Sequence, residues 1–152
     1  MTRSLDRLVA ENVFGWKVID KDEAVRRSTD LQALRTDSAG IMRCDFSIRY
    51  SHGLYVDKGK PPFADEFDSL PMFRLLISEA WAVLEALRAQ DWSFIIYDLK
   101  DSGYYVSFDN GYKYPLPGAS HESITTAICL AALRAKGVPE AEILKALATK
   151  PS

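Results

Sequence analysis

Two helix-type runs on either side of a β-prone aromatic run constrain this chain more than any other feature. From Ser69 to Arg88 the apolar residues Met72, Phe73, Leu76, Ile77, Ala80, Trp81, Val83, Leu84 and Leu87 recur at spacings of three and four. That is the period of a helix with a broad buried stripe. Pro71 falls in its first turn, where a missing N–H costs nothing. From His121 to Lys136 a second helical run carries Ile124, Ala127, Ile128, Ala131, Ala132 and Ala135, and Gly137 closes it. Its many alanines predict close approach to a neighbouring element. Between the two lies Trp92 to Leu99, strongly β-prone. Helices packed on a small sheet are the architecture this order implies.

The segment between these runs reads as an antiparallel meander. Tyr104–Phe108 is a second strand after the turn residues Asp101-Ser102-Gly103. Asp109-Asn110-Gly111 is a second turn, and Asn-Gly favours a tight hairpin. Tyr112-Lys113-Tyr114 is then expected as the returning edge, stopped by Pro115 and Pro117. Pro139 to Ala148 reads as a short terminal helix with Ile143, Leu144 and Leu147 as its apolar contacts.

The N-terminal half is less regular. Leu5, Leu8, Val9 and Val13 mark one helix face, with Ser4 as cap, Asp6 complementing the dipole in the first turn and Gly15 as stop. Trp16 to Ile19 reads as a short strand. Residues 20 to 39 are polar with no clear period, apart from one helical turn expected around Asp22 to Arg26. Ile41 to Tyr50 alternates strictly, with Met42, Cys44, Phe46, Ile48 and Tyr50 on one face, and predicts a strand half-buried on helices. Leu54-Tyr55-Val56 is expected to continue the sheet as a hairpin partner.

Composition excludes several classes. The 152 residues suit one domain, and a net charge of −2 argues against general nucleic-acid binding, which needs a basic face. Two cysteines far apart make no disulfide framework, and both sit in apolar patterns as small hydrophobes. There is no signal-peptide h-region, and no stretch approaches the roughly 18 apolar residues that span a bilayer. A cytoplasmic, non-membrane protein is the expectation. Neither a dinucleotide fingerprint nor a phosphate loop is present, and no metal-ligand spacing exists. No cofactor and no metal are therefore expected.

Few side chains offer chemistry. His121 beside Glu122 at a helix start can be weighed as a general acid/base pair, against the simpler reading of a surface histidine at a cap. Cys129 with either histidine is weighed as a nucleophile, against a buried structural thiol. No catalytic residue is assigned. The meander is the best candidate for a binding surface: Tyr97, Tyr104, Tyr105, Tyr112 and Tyr114, with Lys113 and Arg134, and beside them Lys100 and Arg43, as cations for a phosphate. Alternation puts Tyr104, Val106 and Phe108 on one face and Tyr105 and Ser107 on the other. The competing reading packs these tyrosines on helices with their hydroxyls in water.

The stretches LDRLVAENVFGWKV, EAWAVLEAL and SITTAICLAALRAKGV, in that order, with Trp92 and the meander between the last two, resemble the phage ABA sandwich domain family. The resemblance implies a small α/β sandwich encoded by phages or prophages. It carries no established activity and no catalytic or binding residues.

The expectation is thus an α/β (α+β) fold with a small antiparallel sheet sandwiched between helices. It spans 1–152 as a single domain, with 20–40 and 51–68 as long connections. The expected function is that of a phage accessory protein that binds a host or phage protein. A small nucleotide-like ligand of host defence is the alternative, and a His/Glu hydrolase the third. A homo-oligomer is expected from the aromatic excess and the Ala-rich helix.

Overall fold

Ile124–Ala135 reads ITTAICLAALRA, with almost no polar side to turn outward. A helix apolar all round must be surrounded. In the computed structural model, which describes residues 4–20, 23, 54–57 and 68–149, Ala127, Ile128, Cys129, Ala131, Ala132 and Leu133 of this helix have no exposed surface. Each large apolar side chain buried this way contributes roughly 1.5–3 kcal/mol. Chain contacts group into two compact units, residues 1–15 with 71–152 and residues 16–70.

The first unit is built around that helix. In chain order it contains α1 (Leu5–Asn12), α2 (Ile77–Arg88), a strand Ser93–Asp98, a 3-10 turn Lys100–Ser102, strands Tyr104–Asp109 and Gly118–His121, then α3 (Ile124–Ala135) and α4 (Glu140–Ala148). The second unit holds three strands: β1 (Lys17–Asp20), β2 (Leu54–Asp57) and β3 (Asp68–Ser69). The strands of the first unit are accordingly β4, β5 and β6.

In the first unit β5 lies between β4 and β6, antiparallel to both. The β4–β5 ladder runs without a bulge from Ser93 opposite Asp109 to Asp98 opposite Tyr104. Phe94, Ile96, Val106, Phe108 and Ala119 share the face that packs on the helices, where Val106 and Phe108 are fully buried. α3 packs on β5, β6, α1, α2 and α4. The fold is mixed α+β with antiparallel strands, as the sequence predicts. The alanines of α3 are used up inside the unit, so they give no support to an oligomer.

Local chemistry explains the helix ends. Ser4 caps α1 by accepting the Arg7 N–H, as expected, and Ser123 caps α3 by accepting that of Thr126. α3 therefore starts at Ile124, and His121 ends a strand instead of opening the helix. Gly137, at φ +77°, stands where the chain leaves α3. There the N–H groups of Gly137 and Val138 donate to Arg134 and Leu133 carbonyls, the left-handed stop a glycine allows without steric cost.

The long helix also starts later than its periodicity predicts, at Ile77 instead of Ser69. Asp68 and Ser69 pair with Val56 and Tyr55 in a strand. Phe73 is buried and stacks on Phe14, with ring centroids 5.3 Å apart. The Arg74 N–H donates to Asp6 Oδ1 at 2.9 Å, and the Arg74 carbonyl accepts the Thr125 hydroxyl. Those bonds divert the backbone of 73–75 from a helical ladder.

In the second unit β2 pairs antiparallel with β1 and β3, with Val18 opposite Val56. Val18, Ile19, Val56 and Leu70 are buried. The strand at Lys17–Asp20 agrees with the reading of Trp16–Ile19 to within a residue. The strand expected at 41–50, with Cys44, lies outside the described residues, as does nearly all of the turn around 22–26.

Candidate functional site

Alternation along β4 and β5 sends Ile95, Tyr97, Tyr105 and Ser107 to the face opposite the helices. Tyr97 and Tyr105 stand directly across from each other, and their rings pack at 6.2 Å between centroids, tilted by 30°. Ile95 and Tyr97 each keep about half of their surface exposed, 49% and 53%. Tyr105 is more enclosed because its ring crosses the next strand. A Cβ at Gly118 would lie 2.9 Å from the Tyr105 Cζ atom and closer still to its hydroxyl oxygen. The lack of a side chain at Gly118 is what lets the ring lie there.

Tyr104 goes to the helix side, opposite Asp98 and His121. It is half-buried and is not part of the outer surface. Tyr112 and Tyr114 are not in a strand. Asp109 Oδ1 accepts the Gly111 N–H, and Asn110 Oδ1 accepts those of Tyr112 and Lys113. These Asx-type turns consume the donors a returning edge would need, and the third strand forms only at Gly118–His121. Tyr112 and Tyr114 are left 91% and 71% exposed.

The two candidate cations are drawn together, but by structural bonds. Lys113 Nζ donates to the Arg134 carbonyl at 2.9 Å and the Ala135 carbonyl at 3.4 Å, at the negative end of α3. Arg134 grips Glu140 through both Nε and Nη2, at 3.1 and 2.6 Å, and donates Nη1 to the Gly118 carbonyl at 2.8 Å. The bidentate bond to Glu140 raises the arginine's pKa, and the same bond lowers that of Glu140. Lys113 pins the β5–β6 connection to the end of α3, so the tyrosines flanking it face outward. Lys100 sits in the short 3-10 turn after β4, and Arg43 lies outside the described residues.

The catalytic alternatives find little geometry. His121 Nδ1 accepts the Ser123 N–H at 3.0 Å, which commits one imidazole nitrogen to the lead-in of α3. Glu122 is exposed. Burial, and then the Asp6 charge, push the Cys129 thiol far above its ordinary range. That thiol is a poor nucleophile at neutral pH. Among the described residues no group of three or more His, Cys, Asp and Glu is placed to hold a metal ion.

Sequence reasoning missed Arg74, whose guanidinium donates to the carbonyls of Thr149 and Leu147 at 2.8 and 3.1 Å. With its backbone bonds to α1 and α3, this one residue ties three helices. Asp6, read only as a dipole partner, is 1% exposed. A carboxylate in an otherwise apolar helix face was the available signal.

The sequence model of the phage ABA sandwich domain matches residues 7–133. The chain belongs to the phage ABA sandwich domain family. That span covers most of α1, both sheets, α2 and nearly all of α3, and it marks a phage protein. No curated protein and no solved structure matches the chain. No described helix of this phage ABA sandwich protein is long and apolar enough to cross a membrane.

Proposed function

We propose that this phage protein acts by binding another protein, from the host or the phage, through the outer face of the β4–β5–β6 sheet and the tyrosines beside Lys113. The observation that carries the reading is the packed Tyr97–Tyr105 pair beside Ile95, with Ile95 and Tyr97 each about half exposed on the sheet face opposite the helices. Aromatic and aliphatic side chains held on a rigid sheet lose little entropy on docking and suit a protein surface.

Sequestration of a nucleotide-like ligand is the second reading. It is less well supported because Lys113 and Arg134, the cations a phosphate would need, already donate to carbonyls and to Glu140. A hydrolase is third, since His121 has one nitrogen committed to the Ser123 N–H.

The test uses the double variant Tyr97→Ser/Tyr112→Ser, whose side chains are exposed. Crosslinking in infected cells should recover one stoichiometric protein partner with the parent chain. The variant should lose it while still unfolding in one cooperative transition. A thermal-shift screen with nucleotides, cyclic ones included, separates the second reading. A ligand at a hundred times its dissociation constant adds about 2.7 kcal/mol of stability. Such a shift, with no protein partner recovered, would replace the docking reading.

A further inference from the structure

Among the described residues β4 and β6 are the two edges of the sheet, and they are treated differently. β6 is four residues long, follows Pro115 and Pro117, and reads Gly-Ala-Ser-His. β4 is six residues long, Ser93-Phe94-Ile95-Ile96-Tyr97-Asp98, with no bulge. It has no proline or lysine, and its one charge lies at its last position. Long flat apolar edges invite another strand, and proteins that must stay single blunt them with those devices.

We propose that β4 pairs antiparallel with β4 of a second copy of this chain, about a two-fold axis at Ile96, joining two sheets into one of six strands. The charges favour a second copy as the occupant. A perpendicular two-fold axis keeps like faces together, so an axis at Ile96 sets Ile95 of one copy against Tyr97 of the other on the outer face. On the helix face it sets Phe94 against Asp98 of the second copy.

The Phe94 ring already carries a cation, with the Arg88 guanidinium carbon 5.1 Å from its centroid. Among the described residues, Arg88 is otherwise held by a well-exposed Glu85 at 3.5 Å. Asp98 is oriented by accepting the Lys100 N–H at 2.8 Å. Pairing in this register brings each Asp98 to the other copy's Arg88, and the axis makes the exchange twice. Trp81, 46% exposed and edge-on to Phe94 at 6.0 Å, borders the same seam. The seam borders Ile95 and Tyr97 on the outer face, so the dimer is tested through Arg88 and Asp98, which lie away from the tyrosine surface.

The test is sedimentation equilibrium on the full chain with charge-swapped variants at exposed positions. The parent should be a dimer that weakens with salt. Asp98→Arg sets like charges together and should weaken dimerisation roughly tenfold or more. Arg88→Asp should do the same. The double swap, Arg88→Asp with Asp98→Arg, restores opposite charges and should recover the dimer, which a merely structural role for either residue would not produce. Circular dichroism should show all four chains equally folded. A parent that stays monomeric at every concentration overturns the proposal. So does a dimer that neither single variant weakens, or a double swap that stays monomeric while folded.

Discussion

Gly118 shows how much one missing side chain decides. Its small size lets the Tyr105 ring cross β6 and meet Tyr97. Gly118→Ala must push the ring away or move the strand, because the Cβ would also lie 3.1 Å from the Val106 carbonyl oxygen. The expected cost is about 1–3 kcal/mol, read as a lowered midpoint in denaturant unfolding. Combining the substitution with Tyr105→Ala should recover most of the glycine-specific part. A Gly118→Ala cost that stays the same in the Tyr105→Ala background would show that the ring is not what the glycine accommodates. Cys129 is the opposite case. Its chemistry is suppressed by its surroundings, so it acts as a small apolar filler in α3.

Among the elements, α4 depends most on side chains from elsewhere. Its last carbonyls are satisfied by Arg74, and its first turn holds Glu140, which Arg134 grips. Arg74→Ala leaves both carbonyls to water and should cost about 1–3 kcal/mol. Hydrogen exchange should rise first in 140–148, ahead of α3. The Glu140–Arg134 pair adds a pH signature. The folded-state pKa of Glu140 is lowered, so its contribution is present above the ordinary glutamate range and is lost as pH falls through the folded value. Glu140→Gln should therefore lower the melting temperature at neutral pH and make no difference at the acid end of the carboxylate range. The effect should be small, because Glu140 is half exposed.

At the scale of the whole molecule, the first unit is assembled from distant pieces of chain. α1 supplies Leu5, Leu8 and Val9, each at most 1% exposed, to a body otherwise made from residues 71 onward. Deleting residues 1–15 removes those side chains together with the Asp6 carboxylate that receives the Arg74 N–H. Truncating a single buried leucine to alanine costs about 2–5 kcal/mol, and a domain holds only about 5–15 kcal/mol in all. The shortened chain should lose the near-ultraviolet signal of Trp81 and Trp92 and melt without a cooperative transition. A sharp transition in that chain would mean α1 is an accessory to the unit.

Periodicity and cap chemistry were enough to read α1, α3 and α4, the strands β4 and β5 and the mixed antiparallel class, because those signals are local and repeat along the chain; the family was legible from the resemblance of three stretches of sequence. Alternation also placed Tyr104 on one sheet face and Tyr105 on the other; that Tyr97 stands across from Tyr105 came from the register of the folded sheet. Tertiary structure alone decided the rest. Asp6, Phe14 and Thr125 hold 73–75 out of the helix that its spacing predicts. Asx turns and the Tyr105 ring select Gly118–His121 over 112–114 as the third strand. Lys113 and Arg134, written as free cations in the sequence, are bound to α3 and Glu140 by groups 21 and 6 residues away. Such choices follow from packing and hydrogen bonding between distant residues, and no local pattern records them.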